Sequence, residues 1–225
     1  SKADIFYSRR IGARPRYYSD AVGEASERGM TLVSNPLETS MINATKLSGR
    51  TSSGLGIGFF NAITGESVSL MEDRLTGGRQ EYMTEPLTNY NMMVIDQSLP
   101  NSSYISMVNT NVLRSGPATG RNYTANVTAT DMQFNTASRI FSVKAVGALS
   151  QKYFSDRRAE TGHNIILSGG KTGGRYTARY GMQVISDGYD PNDMGYLRRN
   201  NLFSNEFSFG YNLFTPMGRF NSSRN

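Results

Sequence analysis

His163 is the only histidine in the chain, with Asn164 beside it and Ser168 five residues on. A histidine base, a serine nucleophile and an orienting amide are the parts of a hydrolytic site, and they work only if they meet in space. In an extended segment successive side chains point to opposite faces. His163 therefore faces away from both Asn164 and Ser168. It reads as a solvated histidine at a strand end, and no catalytic residue is assigned. The expectation is a protein that is not an enzyme, with a barrel-embedded hydrolase as the alternative.

Asp187-Gly-Tyr-Asp-Pro-Asn-Asp193 gathers Asp187, Asp190, Asn192 and Asp193 in a Gly- and Pro-containing loop. Calcium takes such oxygen clusters. The full calcium-loop pattern fails, because the twelfth position from Asp187 is Arg198 instead of glutamate. The segment reads better as a structured turn whose Asx side chains cap the backbone, a structural latch. No metal and no cofactor are expected. The Gly-Gly pairs lack the strand-to-helix context of a phosphate-binding loop.

The third group is spread along strands. Lys144, Arg179, Glu206, Asn126, Gln183 and Asn212 fall on the polar side of segments that alternate with period two, the mark of half-buried strands. In Tyr123 to Asp131, Tyr123, Ala125, Val127 and Ala129 share one face. In Arg175 to Ile185, Tyr176, Ala178, Tyr180, Met182 and Val184 share one. In Leu202 to Leu213, Phe203, Phe207, Phe209, Tyr211 and Leu213 do, and in Arg139 to Ser150, Phe141, Val143, Ala145 and Leu149. Met41–Arg50, Leu55–Thr64, Leu87–Asp96, Ser103–Leu113 and His163–Gly170 add strands of less certain phase, and Ile5–Arg10 is a possible tenth. Turn signals separate them at Thr51–Gly54, Pro100-Asn101, Gly116-Pro117, Gly120, Gly169-Gly170 and Gly173-Gly174.

Strand length suggests the architecture. About ten residues at roughly 3.3 Å each span some 33 Å, which covers the ~25 Å apolar band of an outer membrane at a tilt of about 40°. Links alternate between short (Thr51–Gly54, Lys171–Gly174) and long (Gly65–Pro86, Gln151–Gly162, Ser186–Asn201), again the outer-membrane pattern. The expected fold is all-β, an antiparallel transmembrane β-barrel, with about nine or ten of its strands in this chain. Lys144, Arg179, Glu206, Asn126, Gln183 and Asn212 would then face the lumen. There they could select a solute or form a salt-bridged plug. Tyr123, Val127, Tyr176, Tyr180, Phe207, Phe209 and Tyr211 would face lipid.

Composition agrees. Hydrophobic residues are 37% of the 225, and no window holds the roughly 18 consecutive apolar residues of a membrane helix. Aromatic residues are 11%, all Tyr and Phe, and charged residues are only 19%. That is poor material for helices and good material for strands and polar turns. The absence of cysteine excludes a disulfide scaffold, thiolate-bound zinc and thiol catalysis. The net charge is +6, but basic residues are scattered, paired only at Arg9-Arg10, Arg157-Arg158 and Arg198-Arg199, so no nucleic acid is expected.

Several blocks go beyond pattern. They are Ile5-Phe-Tyr-Ser-Arg-Arg-Ile-Gly-Ala-Arg-Pro-Arg16, Ala44-Thr-Lys-Leu-Ser-Gly-Arg-Thr51, and Gly54-Leu-Gly-Ile-Gly-Phe-Phe-Asn-Ala-Ile-Thr64. Thr84-Glu-Pro-Leu-Thr-Asn-Tyr90 and Tyr189-Asp-Pro-Asn-Asp-Met-Gly-Tyr-Leu-Arg-Arg199 follow. In this order, from Ile5 to about Gly210, they resemble the uncharacterised barrel domain found on the C-terminal side of carbohydrate-binding family-nine-like proteins of Gram-negative bacteria. The resemblance implies an outer-membrane location, with lipid and lipopolysaccharide as surroundings and other outer-membrane proteins as possible partners. Any sugar ligand would belong to a neighbouring domain. It carries over no catalytic or ligand residue.

Residues 1–225 read as one barrel segment, incomplete at both ends. The polar run Arg219-Phe-Asn-Ser-Ser-Arg-Asn225 looks like a loop, which suggests a longer protein. The expected function is a channel, a transport component or a scaffold in an outer-membrane complex. The alternative outside the membrane is a soluble carbohydrate-binding β-domain.

Overall fold

A computed structural model describes residues 5–115, 122–214 and 223–224. A 3-10 turn at Ser8–Arg10 precedes α1 (Tyr18–Glu27), β1 (Met30–Ser34), β2 (Met41–Arg50), β3 (Leu55–Thr64), β4 (Ser67–Asp73) and β5 (Arg79–Glu85). Then come β6 (Thr88–Leu99), β7 (Ser103–Arg114), β8 (Tyr123–Asn135), β9 (Phe141–Phe154), β10 (Glu160–Lys171), β11 (Tyr176–Ile185), β12 (Leu202–Leu213) and β13 (Ser223–Arg224). Ten strands form one antiparallel sheet, in the order β13-β12-β11-β10-β9-β8-β7-β6-β3-β2. Each strand pairs with its chain neighbour, except that β4 and β5 leave the sheet between β3 and β6 and pair with β1 in a smaller sheet. The fold is all-β and antiparallel. Among the described residues the large sheet is open, with β2 at one edge and the two-residue β13 beyond β12 at the other.

Alternation divides the sheet into two faces. The covered face carries Val108, Val112, Ala125, Val127, Ala129, Val146, Ala148 and Ile185, all buried, and cross-strand register keeps them on one side. Against them pack two non-sheet segments. One is the stretch from Ile5 to Arg16. The other is the connection between β11 and β12, residues 186–201, called the latch below. Ile5 and Tyr189 join one apolar cluster on this face and Met194 a second. The two segments are tied together by the Tyr7 N–H, which donates to the Met194 carbonyl at 2.7 Å.

The open face is apolar and uncovered by any described residue. It presents Leu47, Ile57, Phe59, Met93, Ile95, Ile105, Met107, Val143, Leu149, Ile165, Leu167, Tyr176, Tyr180, Phe203, Phe207, Phe209 and Tyr211, with Leu47 and Phe207 each 71% exposed. One polar row crosses it. Asn61, Asn91, Asn111, Asn126 and Gln151 stand in register on five successive strands. Asn61 donates to Asn91 at 2.8 Å and Asn126 to Gln151 at 3.2 Å.

The connections also sort by end. Short turns join β2 to β3, β6 to β7, β8 to β9 and β10 to β11, whereas the latch and the β4–β5 excursion lie at the opposite end. Gly54 (φ 85°) and Gly174 (φ 91°) supply left-handed backbone in two of the short turns. The smaller sheet has its own core, where Ala21 and Ala25 of α1, one helical turn apart, meet Met30 and Met71. Asp20 sits in the first turn of α1, where the helix dipole favours it.

Several sequence expectations change. Ile5–Arg10 is not a tenth strand but a turn-containing segment on the covered face. Gly169-Gly170 is not a turn. Both glycines lie inside β10, and a side chain at Gly170 would meet the β11 backbone at Ala178 and Arg179. The 151–162 link shortens to 155–159, because β9 runs to Phe154. The 65–86 link contains the β4–β5 hairpin. Ser223 and Arg224, in the segment read as a loop, pair with β12. The Gly116-Pro117 and Gly120 signals lie outside the described residues.

Candidate functional site

Charged side chains collect where the covered face meets the Ile5–Arg16 segment and the latch. Arg114 ends β7 and Lys152 lies near the end of β9, both in phase with buried apolar positions of their strands. A charge there must find a partner or lose its solvation uncompensated. The latch supplies the partners. Arg114 Nη2 lies 2.6 Å from Asp193 Oδ1, with side chains only 4% and 6% exposed. Lys152 Nζ lies 2.5 Å from Asp190 Oδ2 and 3.5 Å from Asp193 Oδ2. The Tyr123 hydroxyl donates to Asp193 Oδ1 at 3.0 Å. Glu85, at the end of β5, sits 3.7 Å from Arg114 Nε and accepts the Arg16 N–H at 2.7 Å.

Arginines of the N-terminal segment close the site. Arg16 stacks on the Tyr123 ring at 4.2 Å, Arg14 lies over Tyr18 at 5.1 Å, and Arg10 donates to the Gly195 carbonyl at 3.1 Å. A cavity of about 260 Å³ remains among these groups, reaching Ala13, Thr39 and Tyr90. Three polar atoms at the site are sealed from solvent and make no hydrogen bond: Arg16 Nη1, Arg114 Nε and Asp193 Oδ2.

Within the latch, Asp190 Oδ1 accepts from the Asn192 backbone at 3.0 Å and from its side chain at 2.7 Å. Asn192 Oδ1 accepts the Leu197 N–H at 2.8 Å. These are the Asx caps that the sequence suggests. Burial pushes the Asp190 carboxyl up, but the Lys152 ammonium and the Asn192 N–H outweigh it and hold the pKa below the usual carboxylate value. A carboxyl whose pKa falls on folding stabilises the fold in its ionised form. That contribution is complete above about pH 4 and is lost as pH drops through the depressed value. The expected result is loss of amide-exchange protection at Asn192 as the pH falls below the ordinary carboxylate range. Unchanged protection there would show that the Asp190 charge does not hold the latch.

The loop's carboxylates are taken up by other partners in this geometry. Asp190 and Asp193 face cations, while Asp187 turns away to cap the Gly188 N–H at 2.8 Å. Among the described residues no three His, Cys, Asp or Glu side chains converge. His163 is exposed, and Asn164, buried on the opposite face, accepts from Gln183 at 3.2 Å. Ser168 shares the Asn164 face, so His163 meets neither.

The strand faces divide as follows. Lys144, Arg179, Gln183, Glu206 and Asn212 share the covered face's side of the sheet. Lys144 lies 3.6 Å from Asp131, and Arg179, Gln183 and Glu206 border a hollow of about 290 Å³. Tyr176, Tyr180, Phe207, Phe209 and Tyr211 are on the open face. Three residues exchange sides. Tyr123 and Val127 are on the covered face, where Val127 is 4% exposed and Tyr123 meets Asp193. Asn126 is on the open face, in the amide row. The reason is that small apolar residues of β8 pack under the latch, so its apolar side is its covered side.

Arg114, Lys152, Glu85 and Arg16 are not singled out by sequence reasoning. The available signal was a charge at a strand end in phase with Val108 and Val112, or with Val146 and Ala148.

A family model described as a domain of unknown function (DUF5916) matches residues 1–225, so the chain belongs to that family. No curated protein matches it, and no solved structure does. The family's description names no activity, membrane or sugar ligand.

Proposed function

We propose that this DUF5916 chain is a wall of an outer-membrane β-barrel, with lipid against its open face. We further propose that it serves as a scaffold blocked at its long-loop end and not as a free channel. The observation that carries the first part is the open face itself. Large apolar side chains extend from Leu47 on β2 to Tyr211 on β12 with no described residue over them, and a contiguous exposed apolar surface marks an interaction face. Strand lengths of ten to fourteen residues in the membrane-spanning meander and the short-turn, long-loop asymmetry fit the same reading. Lipid also requires that the edges of β2 and β12 be paired, since exposed strand edges are not tolerated there. The reading therefore includes further strands closing the sheet.

The second part rests on the covered face. The Ile5–Arg16 segment and the latch occupy its long-loop half, and the latch is ion-paired to it. What remains toward the short turns is polar, with Arg50 paired to Asp96 at 2.6 Å and the Tyr104 hydroxyl donating to Asp131 at 3.0 Å. Lipopolysaccharide headgroups would border the long-loop end.

A second reading is carried by the amide row. Its five polar side chains on the open face suit a protein layer better than lipid tails, so a soluble β-sandwich, including a carbohydrate-binding one, would use the same face. Expressed full chain should partition into the detergent phase and migrate differently on gels before and after boiling. A monodisperse protein without detergent would sink the membrane reading and leave the sandwich.

A further inference from the structure

We propose that the cavity between the Ile5–Arg16 segment and the latch binds a phosphate group. Charge balance is the first argument. Arg10, Arg14, Arg16, Arg114 and Lys152 line the cavity, against Glu85, Asp190 and Asp193. Each of the three carboxylates already faces a cation, although Asp193 Oδ2 makes no hydrogen bond. Asp193 faces Arg114 and Lys152, Asp190 faces Lys152, and Glu85 faces Arg114 and the Arg16 N–H. Among the described residues no carboxylate lies within ion-pair distance of Arg10, Arg14 or Arg16. Guanidinium groups brought together without a counter-ion attract one, and their planar donor sets match phosphate oxygens.

The second argument is independent of charge counting. Arg16 Nη1 and Arg114 Nε are enclosed donors that make no hydrogen bond, Arg114 Nε having only the 3.7 Å ion pair to Glu85. Native proteins rarely leave such groups unmatched, and a bound oxyanion is one way to match them. Arg114 is held on the sheet by Asp193 and by the Tyr123 carbonyl, which accepts from its Nη1 at 3.3 Å. The Arg16 guanidinium is held by the Tyr123 ring, and its backbone N–H by Glu85. The cationic side of the cavity is thus positioned in advance, which lowers the ordering cost of binding. Some 260 Å³ is several times the roughly 30 Å³ that one water occupies in the liquid, which leaves room for a phosphate with part of its carrier.

The proposal stands apart from the membrane reading, because the cavity needs only the two segments and the sheet. The phosphate could come free in solution or on a lipopolysaccharide headgroup. Calorimetric titration of the full chain with inorganic phosphate tests the first source. Titration with detergent-dispersed lipopolysaccharide, intact and dephosphorylated, tests the second.

Binding should weaken at least about tenfold in R16Q, the loss of one charge-assisted contact. It should weaken less in R14Q, whose exposed side chain leaves the fold intact. Arg79→Gln, paired only with Glu72 on the small sheet, should bind as the wild type does. Phosphate-dependent binding from either source with this order of variants supports the site. No binding from either source overturns it, as does equal binding by wild type, R14Q and R16Q. If R16Q fails to fold, R14Q against R79Q decides, and equal affinities there also overturn it.

Discussion

Replacing Gly162 by alanine should lift the latch off β10 and lower stability by about 3 kcal/mol or more. Gly162 lies on the covered face opposite Ser150 of β9. The latch crosses directly over it, and an added Cβ would be driven into the backbone of Gly188 and Tyr189. Backbone cannot rotate aside as a side-chain tip can, so the strand or the latch must move. Gly188 is constrained in turn by the Thr161 carbonyl. If the latch moves, fully buried Tyr189 and Met194 lose their places, as does the Asp190 N–H bond to Ser150 Oγ at 3.0 Å. Each buried side chain of that size contributes about 1.5–3 kcal/mol. Gly147, on the open face with no neighbour within 4 Å of an added Cβ, is the control. Its alanine variant should stay within about 1 kcal/mol of wild type. Side-by-side denaturant titrations read both, and a G162A midpoint equal to that of G147A would show that the latch does not rest on β10.

Asp193→Ala should cost about 3–5 kcal/mol, the usual result of removing one partner from a buried ion pair. Asp193 faces Arg114 and Lys152, whose side chains are 4% and 13% exposed, and it accepts from Tyr123. Without it, the carboxylate left beside Arg114 is Glu85, at the longer distance of 3.7 Å. Asp193→Asn should cost less, because an amide oxygen can still accept from Tyr123. The double variant Asp193→Ala with Arg114→Met should be less damaging than the two single changes added together, because the stranded charge is gone. Breaking the exposed Arg157–Glu160 pair should change stability by less than about 1 kcal/mol. Additive losses in the double variant would show that Asp193 and Arg114 do not act as a unit.

Much of the sheet is legible in the sequence, because long strands write their period directly. Met41–Arg50, Leu55–Thr64 and Leu202–Leu213 have the expected bounds. The sides are harder to read. On β11 and β12 the bulky residues point to the open face. On β7 and β8 the covered side is itself apolar, because Ile5, Tyr189 and Met194 arrive from distant parts of the chain to pack on it. Nothing local in Tyr123 to Asp131 records their arrival, so Tyr123, Val127 and Asn126 each lie on the face opposite the residues they are grouped with in the sequence reading. The helix α1 is missed because it buries only two alanines. The β4–β5 hairpin is missed because β4 buries Ser67 and Ser69 beside Met71, leaving no apolar alternation. The site is half legible. The latch stands out as a sequence block, but its ion-pair partner Arg114 is 79 positions from Asp193, and no local motif joins them.

The most direct test of the account is which face of the sheet meets lipid. The chain has no cysteine of its own, so single cysteines can carry nitroxide labels in full chain reconstituted into liposomes. Labels replacing Val143, Leu149, Phe207 and Phe209 should relax with dissolved oxygen and be shielded from a water-soluble nickel chelate. Labels replacing Lys144, Glu206 and Ser208 should show the reverse. Open-face labels that relax with the nickel chelate, as freely as the others, would contradict the membrane barrel.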